Sequence, residues 1–401
     1  MKRSVLLLII KVLGALSTII TGILISRVFG EEYFAEYSLL LTLISIGVLL
    51  SNWGSSNYIV QHFKSKCIGF DKIIYINIVF ALMYISIIYF LKDWLDIESF
   101  FIAIFSVLFF SFFLTKSSYL IMNENQVRNS IVDDFLKNFL LAAVIYASYI
   151  YSYKDINEIY IIYFSLLATI SVFLFRGLEE YRKDSCETKQ LSSFFVQGFF
   201  VTISLLIILL LAQIDRFIIN YYLDKEVLAR YFLSYTLVAL ISLFSQSLIV
   251  LYIPKISKSI KSKDNPSLQS ISKIYSKLII MFILLQIIFY NITLKYIFQL
   301  YKINLHIEDY IVINLLLLGL LISNAFGIGV TIASYSNDKK VLVNNQLRVF
   351  LLYLPIVVIM IKLYGIVGAA LSYCIGQIAI KFLMYRFYKK EYNLNLFFLG
   401  K

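Results

Sequence analysis

Residues 27–50 read RVFGEEYFAEYSLLLTLISIGVLL, a charged turn with an aromatic residue followed by a long apolar run. Residues 221–250 begin 194 positions later, read YYLDKEVLARYFLSYTLVALISLFSQSLIV and repeat that order of features. Each stretch follows an apolar helix end, so each is a sharp connection between two apolar helices. In a membrane protein, two halves that resemble each other are typical of transporters, in which two similar bundles rock about a central site. The repeat therefore favours a transporter over an enzyme.

The composition indicates a chain that lies almost entirely in a membrane. Of its 401 residues, 60% are hydrophobic and 15% are charged, whereas roughly a quarter of the residues of a soluble domain are charged. A bilayer-spanning helix needs about 20 mostly apolar residues, and apolar runs in lipid form helices because the backbone must satisfy its own hydrogen bonds. Twelve helices are predicted, at residues 5–29, 37–57, 73–91, 100–122, 131–151, 157–176, 196–219, 229–253, 274–292, 310–334, 341–361 and 365–387.

The basic residues predict the orientation of these helices. With both termini in the cytoplasm, 25 of the 36 Lys and Arg residues fall at cytoplasmic ends and 9 at the opposite ends, which is a positive-inside bias. The two similar stretches are six helices apart, so both turns lie on the outer face with the same orientation. We predict an all-α polytopic membrane protein of two parallel six-helix bundles, residues 1–190 and 191–401, related by an axis along the membrane normal.

The sequence gives little support to metal, redox or nucleic-acid functions. Cys67, Cys186 and Cys374 lack the spacing of a metal site or a disulfide framework, and His62 and His306 are isolated. Neither a metal nor another cofactor is therefore predicted. The net charge of +12 follows mostly from the orientation bias and requires no nucleic acid as a partner.

Four motifs, in this order along the whole chain, resemble those of one family of membrane proteins. They are residues 25–30 (ISRVFG) with Tyr37; residues 215–231, from Asp215-Arg216-Phe217 to Tyr231; residues 252–257 (YIPKIS); and residues 337–340 (NDKK) with 364–370 (YGIVGAA). The chain thereby resembles the Wzx-type O-antigen flippases of the multidrug/oligosaccharidyl-lipid/polysaccharide (MOP) superfamily. It departs from their pattern in lacking a proline just before the Tyr-Gly turn.

The resemblance implies a MATE-like fold of two six-helix bundles around a central cavity. It also implies a cargo: an oligosaccharide repeat unit of O-antigen, capsule or exopolysaccharide on undecaprenyl diphosphate, moved from the cytoplasmic to the outer leaflet by alternating access. The expected partners are this lipid, other membrane lipid, a polysaccharide polymerase and a chain-length regulator. The expected location is the bacterial inner membrane, and the coupling ion, a proton or sodium, is left open.

Moving a diphosphate across about 30 Å of hydrocarbon requires a hydrated cavity with cations, because a charged group in the membrane is costly. We therefore predict substrate-binding cations among the basic residues within or at the ends of helices: Lys11, Arg27, Arg216 and Arg348. Lys11 has an alternative reading as a residue that snorkels to the cytoplasmic surface, and Arg27 as an interfacial anchor. Arg348 follows a polar run, residues 344–346, and polar residues inside a membrane helix face protein or water.

Three acids are candidates for ion coupling or for contacts between the bundles: Asp133, Asp134 and Asp215. Asp133 and Asp134 open a predicted helix, where acids also complement the helix dipole. Asp215 adjoins Arg216, and adjacent residues on a helix do not face each other, so each is expected to have a different partner. A plain position at the outer interface is the alternative for this pair.

Two other functions remain open from the sequence. A cation-coupled drug antiporter of the same superfamily would carry acids as its main cavity charge, whereas the candidates here are mainly basic and fit an anionic head group. A membrane polysaccharide polymerase or acyltransferase would need a large outer loop or a catalytic motif with histidine or acid, and the sequence shows neither. The flippase is therefore the preferred hypothesis.

Overall fold

The secondary structure is helical, without strands, in the residues that the computed structural model describes. These residues are 2–55, 70–95, 100–122, 131–151, 156–174, 188–336 and 338–398. A backbone surrounded by lipid has to satisfy its hydrogen bonds within each segment, which helices do. The predicted all-α polytopic membrane class is confirmed.

The first half of the chain folds into apolar helices joined by short connections. The described bounds are Lys2–Phe29 (α1), Glu31–Asn52 (α2), Phe70–Leu95 (α3), Phe100–Met122 (α4), Lys137–Ile150 (α5) and Ile156–Leu174 (α6). A π-helical segment, Ile131–Leu136, leads directly into α5. Gly30 alone separates α1 from α2, with φ 104° and ψ 172°, a conformation that is readily accessible only to glycine. The predicted turn at residues 27–37 is thus a one-residue break between two helices.

The second half contains longer helices, and it departs from the prediction at one divided helix and at one helix that joins two predicted ones. The bounds are Thr188–Tyr222 (α7), Lys225–Ser262 (α8), Asn265–Tyr301 (α9), Ile307–Ala325 (α10), Gly329–Tyr335 (α11) and Lys339–Tyr392 (α12). The predicted helix 310–334 is therefore divided into α10 and α11. α12 has 54 residues with a break at Gly365 (φ 57°, ψ −138°). At about 1.5 Å per residue it measures about 80 Å, enough for two crossings of about 30 Å each.

Several helices have the length and composition of membrane spans. Seven described stretches are long and apolar enough to cross a bilayer: Ile9–Phe29, Glu31–Asn52, Lys72–Phe90, Phe194–Tyr222, Asn265–Tyr301, Ile307–Ala325 and Lys339–Tyr392. Large apolar side chains such as Phe90, Phe105 and Leu352 are not covered by protein. A soluble monomer rarely exposes so much contiguous apolar surface, so these side chains are placed to face lipid.

The chain divides into two compact units, Met1–Leu206 and Ile207–Lys401. This division falls within α7, and the predicted boundary between residues 190 and 191 falls near the start of the same helix. Which boundary separates two independently folding halves stays a prediction.

In the first unit, five helices pack in a closed ring. α1 packs against α2 and α5, α5 against α6, α6 against α4, and α4 against α2, while α3 packs against α2 and α4. Gly47 lets α2 and α3 approach closely, because a Cβ atom there would overlap the ring of Tyr84. The Tyr84 hydroxyl in turn donates a hydrogen bond to the carbonyl of Leu43 at 2.8 Å. A small residue at a helix crossing is a common packing device in membranes.

In the second unit, α10 is the central helix and packs against α8, α9 and α12. It approaches α12 closely at Gly319, where a Cβ atom would overlap the Cys374 side chain. The Ser276 hydroxyl on α9 donates to the Asn324 carbonyl at 2.8 Å, and the Tyr290 hydroxyl donates to the Leu237 carbonyl of α8 at 2.8 Å. These contacts fix the helices around α10.

Candidate functional site

A cavity of about 510 Å³ lies inside the first unit, among α2, α4, α5, α6 and the part of α7 that belongs to this unit. Its volume is within the range of about 300–1,000 Å³ that is usual for small-molecule sites. Much of its wall is apolar, from leucines and phenylalanines. The polar groups on which its chemistry depends are mainly these: Tyr37, Asn52, Lys137, Asn138, Tyr160 and Tyr163.

Lys137 provides the charge of this cavity. Of the described residues that line it, Lys137 alone carries a formal charge. The Lys137 ammonium lies 5.8 Å from the centre of the Phe110 ring, at cation–π distance; such contacts stabilise a cation by about 0.5–2 kcal/mol. A lysine ammonium has three N–H donors, through which it can bind an anion.

The local helix geometry presents Lys137 and Asn138 to the cavity. Both residues begin α5, directly after the π-helical segment Ile131–Leu136, and π-helical turns are frequently found at functional sites. The Asn138 carbonyl accepts a hydrogen bond from the Thr21 hydroxyl of α1 at 3.3 Å. The first turn of α5 is thus tied to α1 on one side while its side chains line the cavity on the other.

A buried hydrogen-bond network holds the part of the cavity wall that Asn52 provides. The Ser55 hydroxyl donates to the Asn52 side-chain carbonyl, and the Asn77 amide donates to Ser55 at 3.2 Å and to Thr115 at 2.7 Å. These residues join α2 to α3 and α4. Buried polar groups that are bonded in this way fix side-chain positions, since an unpaired partner would cost free energy.

The chemistry of the cavity suits a ligand that is anionic at one point and carries polar and flat apolar faces elsewhere. The ammonium of Lys137 binds phosphate oxygens as a point charge. Tyrosine rings combine an apolar face with a hydroxyl, and amides both donate and accept hydrogen bonds. No group of three or more His, Cys, Asp or Glu side chains that could hold a metal occurs among the described residues.

The predicted pair Asp215 and Arg216 lies in the polar core of the second unit. Asp215 is fully buried and accepts a hydrogen bond from the Tyr231 hydroxyl of α8. The Arg216 guanidinium carbon lies 4.9 Å from the centre of the Phe232 ring and 4.8 Å from that of Tyr235. The two neighbours therefore contact different residues of α8, as expected for adjacent positions on a helix.

The burial of Arg216 bears on its predicted role as a substrate-binding cation. Its side chain is 4% exposed and is covered by aromatic rings, one of which, Tyr235, packs edge-on against Tyr373 of α12 at 5.7 Å. In this conformation Arg216 and Asp215 join α7 to α8, and a ligand would have to displace an aromatic ring to reach the guanidinium. A ligand role for Arg216 stays a prediction.

The structure places the other predicted residues outside the first-unit cavity. Lys11 is half-buried on α1 and Arg27 is exposed at its end; neither lines the cavity. Arg348 is exposed on α12, whereas Gln346 in the preceding polar run is buried. Asp133 and Asp134 belong to the π-helical segment, but their side chains lie outside what the structure describes. The roles proposed for all of these residues stay predictions.

Two lysines outside the predicted site residues, Lys137 and Lys381, are half-buried and contact neighbouring helices. Lys137 follows Asp133 and Asp134 closely, and the sequence predicts those two acids as site residues instead of the lysine. The Lys-Asn pair that precedes the apolar run of α5 is itself an indication of a polar site. Lys381 reads as an anchor near a chain end, yet its ammonium donates to the Asn324 side chain of α10 at 2.7 Å. Only the packing of helices distant in sequence reveals such neighbours.

Similarities to known proteins extend over most of the chain. A family model described as "Polysaccharide biosynthesis protein" matches residues 1–260, and no curated protein sequence matches. The lipid II flippase MurJ, in an inward closed conformation, aligns with a TM-score of 0.72 and 15% identity over 96% of this chain and 88% of its own. The MATE multidrug transporter DinF-BH aligns with a TM-score of 0.69 and 13% identity, covering 99% of this chain and 96% of its own.

A mutant of the Vibrio cholerae MATE transporter VcmN also shares the fold, with a TM-score of 0.63 and 13% identity over 98% of both chains. Identities this low show a common fold and nothing finer. The family model, by contrast, covers well over half of the sequence. The fold is that of the MOP superfamily, and the chain belongs to the polysaccharide biosynthesis protein family of that superfamily.

Proposed function

We propose that the protein is a flippase that moves undecaprenyl-diphosphate-linked oligosaccharide repeat units of O-antigen, capsule or exopolysaccharide from the cytoplasmic to the outer leaflet. The observation that carries the proposal is the cavity in the first unit, where a lysine is the charged group of the described lining and tyrosines and amides surround it. Membership of a polysaccharide biosynthesis family supports a cargo that contains sugars. The MurJ neighbour is itself described as a lipid II flippase.

The cavity fits the head group of such a cargo in charge and in surface. Lys137 would contact a phosphate oxygen, which loses part of its hydration on leaving water and needs a cation in exchange. Tyr37, Tyr160 and Tyr163 would lie against sugar rings, whose axial C–H groups are apolar. The polyprenyl tail is as apolar as the membrane and has no need to enter the protein. The protein then stabilises only the part of the cargo that hydrocarbon excludes.

Transport by alternating access would need no covalent step. Similar halves of a transporter rock or open around a bound ligand, and the net movement is downhill if the units are consumed on the outer side. The polysaccharide polymerase and the chain-length regulator are the proposed consumers. Coupling to a proton or sodium gradient through Asp133, Asp134 or Asp215 is a further part of the proposal, and each of these acids can be tested by substitution with asparagine.

The proposed location is the bacterial inner membrane with both termini in the cytoplasm. The support is the distribution of Lys and Arg, of which 25 lie at the predicted cytoplasmic ends and 9 at the opposite ends. This bias sets the orientation of multi-pass proteins because basic loops are retained on the cytoplasmic side.

The decisive experiment is reconstitution of the purified protein into liposomes that contain a fluorescent polyprenyl-diphosphate disaccharide. Flipping brings lipid from the inner leaflet within reach of a membrane-impermeant quencher, so the quenched fraction should rise from about half towards all of the probe. A polyprenyl monophosphate without sugar is the matched control and should move more slowly. No movement of the diphosphate probe, with transport of a cationic dye by the same liposomes, would establish the drug antiporter instead.

A cellular test is independent of the probe. In a strain without another flippase, deletion of the gene should leave lipid-linked repeat units on the cytoplasmic leaflet, and the plasmid-borne gene should restore their polymerisation. Units that still reach the polymerase in the deletion strain would exclude the proposed function.

A further inference from the structure

The connection between α10 and α11 is a break inside a region that the sequence predicts to be one helix. α10 ends at Ala325 and α11 begins at Gly329. Gly327 lies between them with φ 77°, in the left-handed region that favours glycine. The break leaves backbone groups at the end of α10 that no helical partner can satisfy.

The last described residues of the chain fill this break. We name Leu394–Phe398 the tail strap. The Phe398 N–H donates to the Ala325 carbonyl at 3.0 Å, which satisfies one of the open carbonyls at the end of α10. The Ser272 hydroxyl of α9 donates to the Leu396 carbonyl at 2.9 Å and accepts from the Ile328 N–H at 3.4 Å. One serine thus connects the tail strap to the residue just before α11.

Side-chain packing reinforces these hydrogen bonds. Leu396 is fully buried and Leu394 is 1% exposed, and a Cβ atom on Gly327 would overlap the Leu396 carbonyl. Phe397 packs against Phe326 in the break, with ring centres 5.7 Å apart. The backbone at Gly327 and the tail strap therefore occupy adjoining space, and neither can move far alone.

The tail strap is anchored where α12 ends. Asn393 terminates α12 in the left-handed conformation, and the Asn265 amide donates to the Tyr392 carbonyl at 3.2 Å. The Tyr388 and Tyr392 hydroxyls both donate to the Asp338 carboxylate, at 3.0 Å each. Because Asp338 directly precedes α12 and follows α11, the start of the tail strap is linked to the far end of the broken helix.

We propose that the tail strap restrains the α10–α11 break and thereby limits how readily α10 and α11 change their mutual angle. A glycine with positive φ between two helix segments can act as a hinge, and hinges are often a few residues that absorb a large change in φ and ψ. With the tail strap in place, any such change must break the Phe398–Ala325 hydrogen bond and expose Leu396. Removal of the tail strap releases the hinge. The inference goes beyond the proposed function and does not depend on the cargo.

Hydrogen–deuterium exchange of the whole protein in lipid nanodiscs tests the restraint. In a variant truncated after Asn393, the peptide that contains residues 325–329 should exchange about tenfold faster, because a hydrogen bond and a buried leucine no longer oppose local opening. A truncation after Phe398, which keeps the tail strap, is the matched control and should exchange like the full chain. A peptide from the middle of α10, residues 312–317, should be unaffected in both and reports on global unfolding.

A substitution keeps the test valid if the truncated protein does not fold. Leu396→Ala retains every backbone group and removes only the buried side chain, and it should accelerate exchange at residues 325–329 by several-fold. Unchanged exchange in a folded truncation, or in Leu396→Ala, overturns the proposal.

The rate of transport then distinguishes a tail strap that restrains the α10–α11 hinge during transport from one that only packs against it. If the tail strap limits the hinge, Leu396→Ala should transport the fluorescent lipid faster than the full chain at equal protein per liposome. Faster exchange with an unchanged or lower transport rate would show that the α10–α11 hinge does not limit the transport cycle and would overturn the expectation that the tail strap slows transport. Absence of transport by the unaltered chain would instead contradict the proposed function, and the exchange result would stand.

Discussion

Lys137 shows how much of the proposed chemistry rests on one side chain. It is the charged residue of the described cavity lining, and its ammonium lies over the Phe110 ring. The cavity holds aromatic and amide groups in number, so the loss of one of them removes only part of the contact with sugars. No second cation among the described lining residues could replace Lys137. Binding of a diphosphate should therefore depend more on Lys137 than on any single tyrosine.

We expect Lys137→Ala to lower transport of the fluorescent diphosphate lipid by about 10- to 100-fold, since a hydrogen bond to a charged group contributes about 1.5–3 kcal/mol. Lys137→Arg should retain most of the activity because it keeps the charge and the donors. Lys277→Ala, at an exposed position of α9, is the matched control and should behave like the unaltered protein. Equal transport by Lys137→Ala and the control would remove the lysine from the binding site.

The hydrogen bond between Asp215 and Tyr231 is expected to contribute to the stability of the protein. The Asp215 carboxyl is fully buried and accepts from the Tyr231 hydroxyl. Tyr231→Phe deletes that donor and should lower the free energy of unfolding by about 1–3 kcal/mol, as for a buried acceptor left unpaired. Denaturant unfolding in detergent, followed by the helical circular dichroism signal, measures the change. Tyr222→Phe, at a residue that is 40% exposed, is the control; an equal effect of both variants would contradict the assignment.

At the scale of the helix, the apolar runs predicted the all-helical class, but α8 and α9 extend beyond the predicted bounds 229–253 and 274–292 into polar residues. Turns 27–37 and 221–231 also lie where the sequence places them. The sequence could not give the packing around each polar residue, however, because helices that are neighbours in space are distant in the chain. Arg216 is predicted from the sequence as a candidate cavity cation, but its cover by Phe232 and Tyr235 depends on how α7 meets α8. Lys137 was missed for the same reason.

The breaks in these helices coincide with glycine residues and not with a loss of hydrophobicity in the sequence. Residues 341–387 remain apolar through the break at Gly365, and the hydrogen-bonded run continues on both sides. The sequence predicts two helices there from length and from the Tyr-Gly pair. In the same way, the predicted helix 310–334 is interrupted at the run Gly327-Ile328-Gly329.

Gly365→Ala tests the break in α12. A Cβ atom at this position meets nothing within 4 Å, so the whole effect comes from the backbone, whose φ is 57° and ψ −138°. Holding alanine there should cost about 1–3 kcal/mol, visible as a lower midpoint of thermal unfolding in detergent. Gly329→Ala, which has no positive φ and only ordinary to tight contacts, should lower the midpoint less. The reverse order would show that space and not backbone conformation is limiting.

At the scale of the whole molecule, the chain divides into two compact units, Met1–Leu206 and Ile207–Lys401. The units are joined without an interruption, because α7 extends across the division at residue 206. A continuous helix in lipid satisfies its backbone only if it remains whole. The position of a tolerated cut should therefore follow the ends of α7 and not the middle of the chain.

Co-expression of fragments tests this expectation. Fragments 1–187 and 188–401 leave α7 intact and should together restore polysaccharide assembly in a strain that lacks its own flippase. Fragments 1–206 and 207–401 cut α7 within a candidate span and should restore at most about a tenth as much, because unpaired backbone groups in hydrocarbon cost several kcal/mol each. Equal restoration by the two pairs would contradict the role given to α7.

The π-helical segment Ile131–Leu136 has a consequence for how the cavity changes during evolution. A π-helical turn closes its hydrogen bonds over one residue more than an α-helical turn, and each residue of a helix adds a rotation of about 100°. The direction in which the Lys137 side chain points therefore depends on the number of residues before it as well as on their identity. Loss of a single apolar residue from this segment would turn the lysine away from the cavity and leave the net charge of the protein unchanged. Relatives that differ by one residue here are where a change of cargo should be sought, even if every lysine is retained.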